Sequence, residues 1–282
     1  MPPAEGRIRR RPSLPSPGGR TPRAGRPAAA AAKRQGARAS VFLEGVSEQQ
    51  GDPGRPEGVL VIVAHPDDAE FGCAGTVARW TGRGTRVDYL ICTDGAAGST
   101  DPKVGHEELR AMREREQRAA ADVLGVSEVL FLRRPDGELR CDDRLRLELC
   151  RQIRRLRPEV VVCQNAVRHY ANLGGNHPDH LAAGQAAVEC VYPYARNPYS
   201  FPELLAEGLE PHEVKEAWVT GTEFPDHLVD VSETVELKLQ ALLCHESQHR
   251  TDPSERVRTR LAQAGQAAGI PLAEAFRRVR AF

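Results

Sequence analysis

Val59-Leu60-Val61-Ile62-Val63-Ala64-His65-Pro66-Asp67-Asp68 is the stretch on which the reading of this chain turns. A continuous apolar run rich in β-branched residues marks a strand buried on both faces, as in a parallel sheet. It ends in a histidine and two acids, which puts ionisable groups at the rim of a core. Helical spacing follows from Ala69 to Thr81.

The same alternation continues along the chain. Arg86 to Thr93 reads as a second strand, followed by the loop Asp94-Gly95-Ala96-Ala97-Gly98-Ser99. Glu107 to Gly125 reads as a charged amphipathic helix that Gly125 stops. Ser127 to Leu132 is a third strand, Asp142 to Leu156 a helix, and Glu159 to Cys163 a fourth strand. Asp179 to Val191 is expected to be helical and Tyr192 to His212 an inserted loop. Lys215 to Gly221 and Leu228 to Val231 read as later strands, Val235 to Gln248 as one long helix, and the C-terminal segment as helical. Repeated strand and helix units predict an α/β fold, a Rossmann-like doubly wound, mainly parallel sheet with helices on both faces.

Ligands of such sheets sit outside the carboxyl ends of the strands. His65, Asp67 and Asp68 fall at one such end, and Asp94, Asp136 and the segment 164–180 follow other strands at the same edge. That segment contains a second cluster, His177-Pro178-Asp179-His180. A catalytic zinc takes about three His or carboxylate ligands and keeps a position for water. His65 and Asp68 in one turn, with His180 at a helix start, supply that set. Water on such an ion ionises near neutral pH. Asp67 is left over beside Asp68 as a general base. His177, one turn before His180, can stabilise an oxyanion or protonate a leaving amine. Two histidines and an aspartate suit Zn²⁺ and Fe²⁺ alike.

Composition narrows the classes. Residues 1–50 are rich in Pro, Gly, Ala and Arg and read as a disordered basic tail, with the folded domain spanning 58–282. Residues 1–40 carry ten Lys or Arg against the single acid Glu5, so a net charge of zero leaves the remainder at nine negative. That argues against a nucleic-acid groove on the folded part and leaves only the tail as a candidate for such contact. Seven cysteines without a Cys-x-x-Cys pair read as free thiols in a reducing, cytoplasmic setting. No apolar stretch has the length of a membrane span. Neither Gly-x-Gly-x-x-Gly nor a P-loop pattern is present, which disfavours a nucleotide-binding module.

The motifs resemble those of the LmbE-like (PIG-L) N-deacetylases. Ala64-His65-Pro66-Asp67-Asp68 with Glu70 and Gly72 is similar to that family's first motif, and His177-Pro178-Asp179-His180 with Gly184 to its second. Thr93 to Gly98, Arg113 with Glu116, Ala120 and Leu124-Gly125, and Pro135-Asp136-Gly137 with Leu139 agree as well. Lys238, His245, Ser247-Gln248 and Glu274-Ala275-Phe276 resemble the bacillithiol-pathway branch. The resemblance implies a zinc-dependent hydrolase that removes acetyl from a small N-acetylglucosaminyl conjugate. It assigns His65, Asp68 and His180 to the metal, Asp67 to general base, and His177 to the electrostatic or acid role. It gives Asp179 the task of orienting or tuning His177, and Arg113 and Asp136 the sugar. It also implies a homo-oligomer. Hydrolysis of a larger amide in a thiol-sugar or glycoside conjugate is the alternative. Two departures stand out: Ala69 lies where many members have Glu, and Gly174-Gly175-Asn176 where some have Tyr, with Tyr170 as a weak stand-in.

Overall fold

The computed structural model describes residues 52, 54–169, 173, 176–249 and 251–281. The expected tail at 1–50 and Tyr170 lie outside them. In chain order the elements are β1 (Gly58–Val63), α1 (Asp68–Gly82), β2 (Arg86–Thr93), α2 (His106–Leu124), β3 (Glu128–Arg134), α3 (Asp143–Leu156) and β4 (Val160–Gln164). Then come α4 (Pro178–Glu189), the short α5 (Glu203–Ala206), β5 (Glu216–Thr220), β6 (His227–Asp230), α6 (Val235–Leu243), α7 (Ser254–Gly265) and β7 (Ala273–Arg280).

Every residue of β1 is buried. Val59, Val61 and Val63 pack with Trp80, Trp218 and Leu239 on one face. Leu60, Ile62 and Ala64 pack with Leu149, Ile153 and Ala183 on the other. A strand covered on both sides needs apolar residues at odd and even positions alike, which is why the run shows no alternation. The helices follow suit. α1, α2 and α6 cover the first face, while α3 and α4 cover the second.

The sheet order is β3-β2-β1-β4-β5-β7-β6. β1 pairs in parallel with both β2 and β4. The chain therefore winds outward from β1 in one direction and from β4 in the other. The crevice between the carboxyl ends of β1 and β4 is the point where the winding reverses, the usual ligand position of such sheets.

The C-terminal segment departs from the helical expectation. α7 gives way to a strand, β7, which runs antiparallel to both β5 and β6. Gly269 has φ of +68° and ends the helical stretch. Beyond it Ala273, Glu274 and Phe276 are drawn into the core. Arg278 clasps Glu216 on the neighbouring strand at 2.6 and 2.7 Å. The long helix expected over Val235 to Gln248 stops at Leu243 and resumes as one 3₁₀ turn at Glu246–Gln248. The break turns His245 inward onto Glu70 and lets Ser247 bond to Glu116. Among the described residues no helix is long and apolar enough to cross a membrane. All seven cysteines are free thiols.

Two features lock the frame around the crevice. α4 lies so close to β4 that a Cβ on Gly184 would sit 2.2 Å from the Gln164 carbonyl oxygen. A backbone oxygen cannot swing aside, so Gly184→Ala should push α4 off the sheet and destabilise by about 1–3 kcal/mol. A thermal melt against the parent chain checks this; an unchanged Tm would contradict the contact. The second feature is a buried ion pair. Glu274 accepts from Gly75 N, Thr76 N and Thr76 Oγ1 at 2.9, 2.8 and 2.6 Å. Lys238 Nζ reaches Glu274 at 2.7 Å and the Glu70 and Phe71 carbonyls at 2.8 and 2.9 Å. Lys238→Met leaves that carboxylate buried without its cation, and the expected loss is about 3–5 kcal/mol. Chemical denaturation measures it.

Candidate metal and hydrolase site

The site is built where β1 ends. His65 follows the strand, Asp67 caps α1, and Asp68 opens that helix. Asp67 has φ of +94°, a left-handed conformation uncommon outside glycine and most tolerated by Asn and Asp. This kink turns consecutive carboxylates in different directions. Asp68 folds back toward His65, whose backbone N–H donates to Asp68 Oδ2 at 2.7 Å. Pro178 at the start of α4 fixes the approach of the second cluster, with His177 as the cap and His180 in the first turn.

Three donor atoms converge. His65 Nδ1 lies 3.1 Å from His180 Nε2 and 3.3 Å from Asp68 Oδ2. His180 Nε2 lies 3.1 Å from Asp68 Oδ1. A tetrahedron with bonds of about 2.0–2.1 Å has edges of about 3.3–3.4 Å, so the spacing suits a zinc-sized ion. Two other groupings share His65. Its donor atoms and those of His177 and His180 lie within 4.8 Å of one another, and the same holds for His65, Asp136 and Asp179. The second of these uses the far side of the ring. His65 Nε2 is 3.1 Å from Asp136 Oδ1 and 3.2 Å from Asp179 Oδ2. A metal-binding imidazole commonly gives its other ring N–H to a carboxylate, which sets the tautomer. The arrangement therefore reads as Nδ1 facing the donor cluster and Nε2–H facing acids.

Charge balance agrees. Asp68, Asp136 and Asp179 crowd one buried imidazole. Burial disfavours a charged His65, yet hydrogen bonds to Asp136, Asp179 and Asp68 outweigh it and raise its pKa to about 12. Burial would likewise raise Asp68, but hydrogen bonds with His180 and His65 hold it well below the carboxylate range. Burial, reinforced by the neighbouring Asp68, pushes Asp67 up to about 7 against the charges of Arg113 and His245. Cys73 is buried in the core and has its thiol pKa raised well above normal by desolvation.

The remaining expected residues also gather here, with altered contacts. Asp179 was expected to orient or tune His177. Its carboxylate holds His65 and accepts from Gly137 N and Leu139 N at 2.7 and 3.1 Å, and its charge opposes the burial that lowers the pKa of His177. Its backbone N–H donates to His177 Nδ1 at 3.3 Å, so the connection to His177 runs through the main chain. Asp136 bonds to His65 and accepts from Ala97 N at 3.1 Å. Arg113, expected to meet a sugar, is buried beneath the loop after β2. It donates to Gly95 O at 3.0 Å and Pro66 O at 2.6 Å, and it stands 3.6 Å from Asp67. A Cβ on Gly98 would come within 2.5 Å of that guanidinium, so a larger residue there would have to displace it.

Behind Asp67 is a layer in which Glu70 and His245 belong to the motifs and Gln117 does not. Gln117 Oε1 accepts the Asp67 N–H at 3.0 Å while its Nε2 donates to Glu70 Oε1 at 3.0 Å. Glu70 Oε2 meets His245 Nε2 at 3.1 Å. Gln117, Glu70 and His245 are all fully buried. His245 enters the sequence reading only through the resemblance of the C-terminal pattern. Gln117 had one local signal, its place four residues after Arg113 on the same helical face.

A cleft of about 500 Å³ opens beside the cluster, bordered by Asp68, His180, Gln164, Thr220, Arg256 and Arg260.

A doubly wound α/β sheet with an imidazole and carboxylate cluster at its switch point defines a Rossmann-like protein with a candidate metal-hydrolase centre. Comparison with known proteins supplies the family. Residues 60–191 match the family described as PIG-L, GlcNAc-PI de-N-acetylase. The chain is 35% identical over 223 residues to a diacetylchitobiose deacetylase of Thermococcus kodakarensis, covering 78% of this chain and 82% of that one. It is 30% identical to a probable N-acetyl-α-D-glucosaminyl L-malate deacetylase 2 of Bacillus anthracis, covering 70% and 84%. The solved N,N′-diacetylchitobiose deacetylase of Pyrococcus horikoshii superimposes with a TM-score of 0.76 at 30% identity, covering 87% of this chain and 92% of that one. The chain belongs to the PIG-L family and is an enzyme of its amide-hydrolase type.

Proposed function

We propose that this chain removes the acetyl group from an N-acetylglucosaminyl-type conjugate, using a divalent metal held by His65, Asp68 and His180. The observation that carries this reading is the convergence of His65 Nδ1, the Asp68 carboxylate and His180 Nε2 at 3.1–3.3 Å, with a second carboxylate, Asp67, next to them. When bound, Zn²⁺ or Fe²⁺ would supply Lewis acidity toward the amide carbonyl and toward the attacking water. Asp136 and Asp179 hold His65 in the tautomer that presents Nδ1.

Asp67 takes the proton of the attacking water and lies on the side of the cluster nearest Arg113. A general base with a pKa near 7 can both accept and return a proton at neutrality. His177 accepts a backbone N–H at Nδ1, so a neutral ring carries its proton on Nε2 and can donate it to the developing oxyanion. The amide C–N bond then breaks, the amine leaves with the transferred proton, and acetate remains. Arg113 and Gln117 act as positioning residues for Asp67. Gln117 cannot flip, because Glu70 and His245 fix its amide orientation.

Gln117→Leu should therefore lower kcat by about ten- to a hundredfold through misplacement of Asp67, with KM and metal content kept. Steady-state kinetics with elemental analysis read this, and an unchanged kcat would remove Gln117 from the account. The function itself is tested by release of acetate and free amine from N-acetylglucosamine conjugates by metal-loaded protein. Absence of amine from every conjugate tried, with metal bound, would refute it.

A further inference from the structure

Asp94 is the acid at this sheet edge that the proposed chemistry leaves without a task. It directly follows β2, and Asp136 follows β3 on the neighbouring strand. Asp94 Oδ1 accepts from Ala96 N at 3.0 Å, which turns its own loop. The same oxygen accepts from Asp136 N at 3.2 Å, which reaches across to the other loop. Asp136 returns the contact, its Oδ2 accepting from Ala97 N at 3.1 Å. Each acid thus holds a backbone N–H of the other's loop.

This reciprocal clasp sets the direction of one carboxylate. Asp136 Oδ2 is tied to Ala97, and Oδ1 turns to His65 Nε2 at 3.1 Å. The loop after β3 is pinned at two successive N–H groups. Asp94 holds that of Asp136, and Asp179 holds that of Gly137 at 2.7 Å. Asp179 then meets the same His65 nitrogen at 3.2 Å. A carboxylate on the far nitrogen of a metal-binding imidazole fixes its tautomer and ring orientation. Loss of such a partner typically costs about ten- to a hundredfold in metal affinity.

We propose that Asp94 is a positioning residue that aims Asp136 at His65 and so helps set the affinity of the metal centre. It acts through Asp136 and is not one of the three converging donors. Both of its accepted bonds end on Oδ1, so the task needs an acceptor atom at that place and not a negative charge. The inference rests on the metal reading of the proposed function.

The test is the zinc dissociation constant of the full chain, measured by competition with a chromogenic chelator. Asp94→Asn keeps a carbonyl oxygen at the Oδ1 position and should bind zinc as the parent does. Asp94→Ser keeps the local turn, because a serine hydroxyl can take the Ala96 N–H. Its side chain is one bond too short to reach Asp136 N, and its dissociation constant should rise by about tenfold. Asp94→Thr makes the same comparison should the serine variant not melt cooperatively. In an Asp136→Ala background the serine substitution should change nothing further, because the carboxylate it aims is gone. Parental zinc binding by Asp94→Ser overturns the inference. So does an equal loss in Asp94→Asn, or a loss that persists undiminished in the Asp136→Ala background. Each of these leaves the metal reading standing, because the parent chain still binds zinc. A parent chain that binds no zinc overturns the metal reading and this inference with it.

Discussion

Asp67→Asn is expected to lower kcat by about two to four orders of magnitude while leaving the metal in place. The substitution is nearly isosteric. Asn is also among the few residues that tolerate positive φ, so the +94° conformation survives. The Asp67 N–H still donates to Gln117, because that bond is to the backbone. What disappears is a carboxylate beside the cluster that is neither among the three converging donors nor bonded to His65. An amide cannot take a proton from water at neutral pH. Single-turnover kinetics with elemental analysis separate the two quantities. A variant that keeps parental kcat would show that another group accepts the proton. A variant that loses its metal would show Asp67 to be a ligand.

His180→Ala is expected to take away both metal and turnover. His180 supplies one of three donors, and the two that remain share a single short turn. Two ligands hold zinc far less firmly than three. The cavity left behind is polar and open to the cleft, so water can fill it and the fold should persist. Metal content should drop from about one ion per chain to a trace, and amine release to background, with the thermal transition still cooperative. Full metal content in this variant would argue for the grouping of His65 with Asp136 and Asp179.

The legibility of these residues in the sequence was uneven, for physical reasons. β1 was readable because burial on both faces leaves an unbroken apolar run, and β2 was found at its observed ends. His65, Asp67 and Asp68 were readable because they interrupt such a run at a strand end. His177 and His180 stood out because Pro178 between them marks a helix start. Gln117 was not readable in the same way, and His245 only through the family resemblance, without its partner. Their roles come from contacts across 50 and 175 residues of chain, which no local spacing encodes. β7 was missed because its alternation is short and its arginines resemble an exposed helix. Backbone pairing with β5 and β6 makes it a strand, and its arginines are taken up by Glu216 and Asp226. The contacts that Asp179 and Arg113 make within the chain were not legible for a related reason. Motif position indicates that a side chain belongs to a site but says little about which neighbour it meets.

The central claim is that one cation binds between His65 Nδ1, the Asp68 carboxylate and His180 Nε2. Anomalous diffraction at the zinc edge from crystals grown with zinc addresses it directly. The account predicts one strong peak bounded by those three side chains, at about 2.0–2.2 Å from each donor, with Asp67 outside bonding distance. A peak between His65 Nε2, Asp136 and Asp179, or no ordered peak in protein that still releases amine, would contradict it.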